Sequence, residues 1–458
     1  MPAPENTQTS PTIHGVWRLA WPTIISNLLF TTVGFMHIKI VSGLGTSAVA
    51  AVTTGHRVFF LVQAILMGVS VAATALIARS WGAGDRRQAE VVNWTSMVLS
   101  LALAALVSIP ILLQPEAIAG LFGLDRQTTR SAAGFIFWLG VFNVVSAANI
   151  MLSTGLRATG NVITPLWFLF FSSVFNVIFG YALAFGLGPL PRFGVAGVAL
   201  GGSTASMIVT VVFVTLWWRG HFNLKALKLP RIDRAVARKL VSIGTPAILE
   251  QGLVQLGFLV FFGIVARYGT EAYAAYGIGI SLVSFSIVVG FGFGIAAATL
   301  VGQQLGAGRP DLAIAAGWRS LRLALLAMGS LAFVQVWYAN ELASFMIKDP
   351  EVIHLTVAFI YMLAAALPMM ACDLTLAGAL RGAGDTRFPL KSTVCGMVFG
   401  RLLPATLFLS LDFSVYWIFS VMILDYSIKA FMLVRRYRSC KWLTVDNATI
   451  SGPNTTPL

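Results

Sequence analysis

Few residues in the long apolar stretches of this sequence can carry charge or a proton. The acids are Glu250, Asp373 and Asp425; beside them stand His37, Arg401 and Lys429. An ionisable group inside an apolar span costs roughly 2.5–3.5 kcal/mol on insertion scales, so each is a candidate for function until a structural reason is found. Glu250 follows Pro246 by four residues and lies about ten residues, or about 15 Å, into its helix. A carboxylate at that depth could gain and lose a proton near neutral pH; the competing reading is a neutral carboxyl hydrogen-bonded to a neighbouring helix. Asp373 precedes Arg381 by eight residues. Two carboxylates in the same half could hold one proton, or a sodium ion together with backbone oxygens, and capping a bent helix is the plainer use of Asp373. Asp425 and Lys429 are four apart with the acid N-terminal, the orientation that favours an ion pair on one helix face. That pair reads as structural, and Arg401 would complement one of the acids. His37 titrates near pH 6.5 when unperturbed, so it is either a proton carrier or a neutral buried histidine. Asn176, Asn149, Gln251 and Arg401 are the polar candidates for lining a cavity.

The elements that must position these residues follow from composition. Of 458 residues 57% are hydrophobic and 10% charged, far from the roughly 25% charged of ordinary globular domains. The solvent for such a chain is lipid, and a span needs about 20 mostly apolar residues. Twelve such stretches can be read, approximately 14–37, 53–79, 91–112, 131–153, 164–186, 195–218, 240–266, 275–303, 318–338, 353–378, 392–410 and 414–434. The expected fold is therefore an all-α polytopic membrane protein. The net charge of +14 does not point to nucleic acid, because Lys and Arg concentrate in alternate loops rather than on a separate surface. The richest loop, 219–239, holds Lys225, Lys228, Arg231, Arg234 and Arg238 against Asp233. This asymmetry places both termini in the cytoplasm of an inner membrane, as expected for an even number of spans.

The sequence repeats itself. Gly82-Ala83-Gly84 recurs as Gly306-Ala307-Gly308, Gly155-Leu156-Arg157 as Ala379-Leu380-Arg381, and Pro22 as Pro246, all at an offset of 224 residues. Each half then has about six spans, and the halves are parallel repeats related by an axis along the membrane normal. The organisation expected is a cytoplasmic segment 1–13, a first lobe 14–218, a basic loop 219–239, a second lobe 240–434 and a cytoplasmic tail 435–458. Under the repeat, Asp373 corresponds to Asn149 and Glu250 to Ser26, so both acids belong to one lobe only. Gly290, Gly292 and Gly294 would permit bending or close helix contact.

These landmarks resemble the multidrug and toxic compound extrusion (MATE) family. The match is carried by Gly82-Ala83-Gly84-Asp85, Leu305-Gly306-Ala307-Gly308, the segment from Gly155 to Asn161, and above all the segment from Gly378 to Arg387. Asn176 and the segment from Gly194 to Leu200 fit the family's fifth and sixth spans, and the resemblance runs from Pro22 to Trp442. It implies a V-shaped, twelve-helix antiporter that expels small amphiphilic, often cationic compounds against an inward flow of protons or sodium. The sequence departs from the family in the first lobe: His37 stands where many relatives have an Asp, and Gly180 where a second acid often follows Asn176. Glu250 and Asp373 match the family's second-lobe acids only to within about one turn.

The other readings are a flippase of lipid-linked intermediates from the same superfamily, and a membrane-embedded enzyme. No His-Glu-x-x-His pattern occurs, and His14, His37, His56, His221 and His354 form no metal-ligand spacing. No enzymatic activity, cofactor or metal is therefore expected, apart from a candidate sodium site at Glu250 and Asp373. The partners expected are a small-molecule substrate, a coupling ion and the bilayer, with the chain acting as a monomer. Cys372, Cys395 and Cys440 imply no disulfide framework. The first span is too long for a signal h-region, and 444–458 reads as a disordered tail whose glycosylation matches, at Asn447 and Asn454, are chance.

Overall fold

Lipid gives an exposed backbone amide no partner, so an apolar chain must close its hydrogen bonds within each segment. The computed structural model, which describes residues 12–227 and 232–443, accordingly contains twelve helices long and apolar enough to cross a membrane. They are α1 (Ile13–Ser42), α2 (Thr46–Gly82), α3 (Arg86–Leu113), α4 (Arg126–Ala158), α5 (Ile163–Phe185), α6 (Val195–Trp218), α7 (Arg234–Ala266), α8 (Thr270–Gly306), α9 (Pro310–Trp337), α10 (Pro350–Gly382), α11 (Arg387–Ser410) and α12 (Val415–Arg438). Every expected span is matched. Many helices extend several residues past the apolar run, because the helix continues into the polar interface after the hydrocarbon ends. Two short helices, Pro115–Gly120 and Ala339–Met346, were not expected. The residues read as a tail, 444–458, and part of the basic loop lie outside the described residues.

Helix starts account for many of the acids. Asp125 accepts from Gln127 N and Thr128 N at 3.0 Å, and its repeat partner Asp349 accepts from Glu351 N and Val352 N at 2.9 and 3.3 Å. Both are N-caps, which satisfy amides that no helix can satisfy for itself. The hydrogen bonds from Thr128 hold the exposed Asp125 carboxyl below the usual carboxylate range. Asn161 caps Thr164 N at 3.2 Å, and its partner Asp385 caps Phe388 N at 3.3 Å.

The repeat is also visible in packing. A Cβ on Gly55 would collide with the Phe135 ring, and one on Gly279 with the Phe359 ring; both pairs are related by the 224-residue offset. Among the described residues the chain divides into two compact units, one made of 25–81 with 85–227 and 232–241, the other of 242–443 with 12–24 and 82–84. The beginning of α1 therefore packs with the second half of the sequence rather than with the first lobe, and the division falls just after Pro22. Trp17 meets Phe293 with ring centroids 6.2 Å apart.

Within the second unit, α8 and α10 approach backbone to backbone. A Cβ on Gly378 would strike the Gly294 carbonyl and one on Gly382 the Ala298 carbonyl, a small-residue spacing of four on both helices. Gly378→Val is therefore expected to destabilise the protein by about 1–3 kcal/mol, the usual cost of overpacking. The check is the melting midpoint in detergent, which should fall clearly below that of the wild type.

Candidate functional site

In the unit that begins at Ile25, α1, α2 and α5 bring together three polar side chains. His37 Nε2 lies 2.6 Å from Asn176 Oδ1, and His37 Nδ1 lies 3.3 Å from His56 Nε2. The two imidazoles stack with centroids 5.5 Å apart and an interplanar angle of 29°. The Phe135 ring of α4 presses edge-on against both. Asn176 fits because α6 places Gly202 opposite it, where a Cβ would meet the amide at 2.7 Å. Asn149 is drawn elsewhere: its Nδ2 donates to Thr210 Oγ1 at 3.1 Å. His56 went unremarked as a partner in the sequence, since nothing in the 19-residue spacing announces a tertiary contact.

The second-lobe acids fall into two groups. Glu250 on α7 is buried, 5% exposed. Its Oε1 accepts from Arg381 Nη2 at 2.6 Å and from the Thr393 hydroxyl at 3.2 Å, while Oε2 has no partner. The Glu250–Arg381 pair joins α7 to α10. Its counterpart in the other lobe is instructive: Arg157, the repeat partner of Arg381, has Nε donating to Ser153 O at 3.2 Å and no acid in the place of Glu250. Gln251, half-buried beside Glu250, makes no hydrogen bond among the described residues.

Asp425 is fully buried and lies between two cations. Arg401 Nη2 reaches its Oδ2 and Lys429 Nζ its Oδ1, at 2.5 and 3.0 Å. The Arg401 guanidinium also lies over the rings of Phe258, Phe261 and Tyr426, 5.1–5.7 Å from their centroids. Local structure explains how Arg401 arrives there. Residues Gly396–Leu402 of α11 form a π-helical turn, just before Pro404, whose missing N–H cannot continue the regular ladder. Gly396 and Gly400 let α12 approach, since a Cβ at Gly400 would come within 2.6 Å of the Asp425 Cα. Gly400 is the repeat partner of Asn176, so at the equivalent helix crossing the two lobes have exchanged which side carries the glycine.

Asp373, half-buried on α10, has no hydrogen bond or ion pair among the described residues. It nonetheless sits in the field of Lys429, Glu250, Asp425 and Arg381. No hydrogen bond joins it to Glu250, so the two carboxylates are neighbours in one network rather than a bonded pair. A third buried acid, Asp385 at the start of α11, is held by Arg436 through Nε and Nη2 at 2.9 and 2.8 Å. Among the described residues no group of three or more His, Cys, Asp or Glu could hold a metal ion.

Comparison with known proteins decides the family. The MatE family model matches residues 22–182 and again 246–406, so both ends of the match repeat at the 224-residue offset already seen in the sequence. The chain belongs to the MatE family. This MatE chain is 26% identical over 387 residues to the probable multidrug resistance protein NorM of Thermotoga maritima, covering 84% of this chain and 83% of that one. It is 25% identical over 383 residues to the FAD transporter of Shewanella oneidensis, covering 83% of this chain and 84% of that one. Its fold matches the crystal structure of MATE in complex with MaL6 with a TM-score of 0.89 at 17% identity, over 98% of this chain and 100% of that one. A MOP superfamily transporter from Pyrococcus furiosus matches with a TM-score of 0.87 at 17% identity, over 99% of both chains. The MatE chain is thus a multi-pass membrane transporter built from two repeated six-helix halves.

Proposed function

We propose that this transporter exports small amphiphilic compounds by ion-coupled antiport, with the coupling ion carried in the second lobe at Asp373 beside the Glu250–Arg381 pair. The observation that carries this reading is the missing partner of Asp373. Glu250, Asp425 and Asp385 each have a cation within hydrogen-bond distance, while Asp373 has none. With Asp373 ionised, the acids Glu250, Asp373 and Asp425 balance Arg381, Arg401 and Lys429; protonating Asp373 leaves the cluster one positive charge in excess. A change of one unit charge in a low-dielectric interior is enough to change which arrangement of helices is favoured, and so can drive a transport cycle. The free Oε2 of Glu250 gives a sodium ion one ready ligand beside Asp373, the alternative coupling. The basic-loop asymmetry supports cytoplasmic termini in an inner membrane.

The cargo's charge is a separate matter. Helices α1, α2, α4, α5 and α6 contain no Asp or Glu, which favours neutral or anionic cargo over cations on the first-lobe side; one relative is itself named an FAD transporter. The test is efflux from proteoliposomes under an imposed proton gradient and, separately, a sodium gradient, with a fluorescent cation and with FAD as cargo. Acceleration by one gradient is expected. Transport indifferent to both would overturn ion coupling.

A further inference from the structure

We propose that His37 and His56, oriented by Asn176, form a second proton-binding site in the first lobe, in which two imidazoles hold one exchangeable proton between them. As a coupling site it rests on the antiport reading above; as a proton site it stands alone.

The geometry fixes the tautomers. Asn176 Oδ1 can only accept, so the 2.6 Å contact requires the hydrogen on His37 Nε2. In a neutral ring His37 Nδ1 is then a bare lone pair. The 3.3 Å approach of His56 Nε2 therefore requires that this nitrogen carry the hydrogen and donate it. His56 Nδ1 is left as the free basic nitrogen of the pair. It has no hydrogen-bond partner among the described residues, on a side chain that is only half-buried.

One proton can enter and leave along this line with every atom accounted for. A proton from water adds to His56 Nδ1, giving an imidazolium. Its Nε2 hydrogen then crosses to His37 Nδ1, leaving His56 neutral with hydrogen on Nδ1 and His37 charged. The charged His37 donates from Nε2 to Asn176 Oδ1 and from Nδ1 to His56 Nε2, so both of its N–H groups are satisfied. A second proton would place two stacked cations 5.5 Å apart between centroids, which like-charge repulsion disfavours. Capacity is therefore one.

Lys39 on α1, Arg57 on α2, Arg130 on α4 and Tyr181 on α5 are all exposed, and α6 has no ionisable residue. No carboxylate faces the pair from any of these helices. Phe135 seals one edge and Gly202 makes room for the amide.

The test uses the full chain in lipid nanodiscs with ¹⁵N-labelled histidine, and with His14→Gln, His221→Gln and His354→Gln to leave two signals. The expected result is that both rings shift with a single shared midpoint and take up one proton in total between about pH 4 and 9. In His56→Gln the His37 midpoint should move by about half a unit or more, and the pH profile of efflux should move with it. Asn176→Leu should disturb the shared titration without abolishing the fold. Two independent midpoints, or no titration of either ring, would overturn the proton site; an unchanged efflux profile in His56→Gln would overturn its part in coupling. The shared titration should persist in Asp373→Asn even where transport is lost. If Asp373→Asn instead transports normally, coupling at Asp373 fails while the imidazole site is judged on the titration.

Discussion

Asp425→Ala is expected to prevent the protein from accumulating as a folded, monodisperse species in detergent. The reason is the pair of cations it would strand. Arg401 is 0% exposed and Lys429 4% exposed, and breaking a buried ion pair from one side typically costs 3–5 kcal/mol because the remaining charge is uncompensated. Here one substitution orphans two like charges, so a loss of about 5 kcal/mol is expected, comparable with the whole stability of many domains. The same reasoning gives a rescue. Arg401→Met with Asp425→Ala and Lys429→Met removes all three charges while keeping the two long stems, and should recover most of the folded yield, since apolar replacement of an entire buried ionic group is often neutral or stabilising. Size-exclusion profiles and melting midpoints of the single and triple variants check both halves. An Asp425→Ala protein as stable as the wild type would mean that water reaches the cluster.

Asp373→Asn should do the opposite: leave the fold intact and remove gradient-driven transport, by roughly 100-fold or more, the scale on which losing a positioned proton carrier acts. The substitution is nearly isosteric and strands no cation, because Asp373 has no ion-pair partner among the described residues. Glu250→Gln is the informative comparison. It strips Arg381 of its counter-ion but retains an acceptor for the Thr393 hydroxyl. Arg157 already occupies the equivalent place in the first lobe without an acid, so the fold tolerates that state. A partial loss of transport with a modest loss of stability is expected for Glu250→Gln. Melting midpoints measured beside efflux rates separate the two effects.

How much of this was legible in the sequence depends on how local each feature is. Span number and the 224-residue repeat are written in residue types along the chain, and the paired collisions at Gly55 with Phe135 and Gly279 with Phe359 show the same repeat in three dimensions. The Asp425–Lys429 pair was readable because a regular helix fixes which residues are neighbours four apart. The partner of Arg401 was not, because the π-helical turn at Gly396–Leu402 shifts the side-chain register that a regular helix would give. The contact of His37 with His56 depends on how α1 and α2 pack, which no spacing within either helix encodes. The isolation of Asp373 is less legible still: lacking a partner is a property of everything around a residue. The grouping of the start of α1 with the second half was hidden for the same reason, since hydropathy treats the helix as one piece.

The most direct test of coupling at Asp373 compares uphill and downhill transport in the same proteoliposomes. Wild-type protein should both equilibrate cargo down its own gradient and drive it against that gradient when the coupling ion's gradient is imposed. Asp373→Asn should retain downhill equilibration, because the path and the fold are intact, and lose the uphill component entirely. An Asp373→Asn protein that still drives cargo uphill at the wild-type rate would contradict the assignment and place the coupling ion elsewhere.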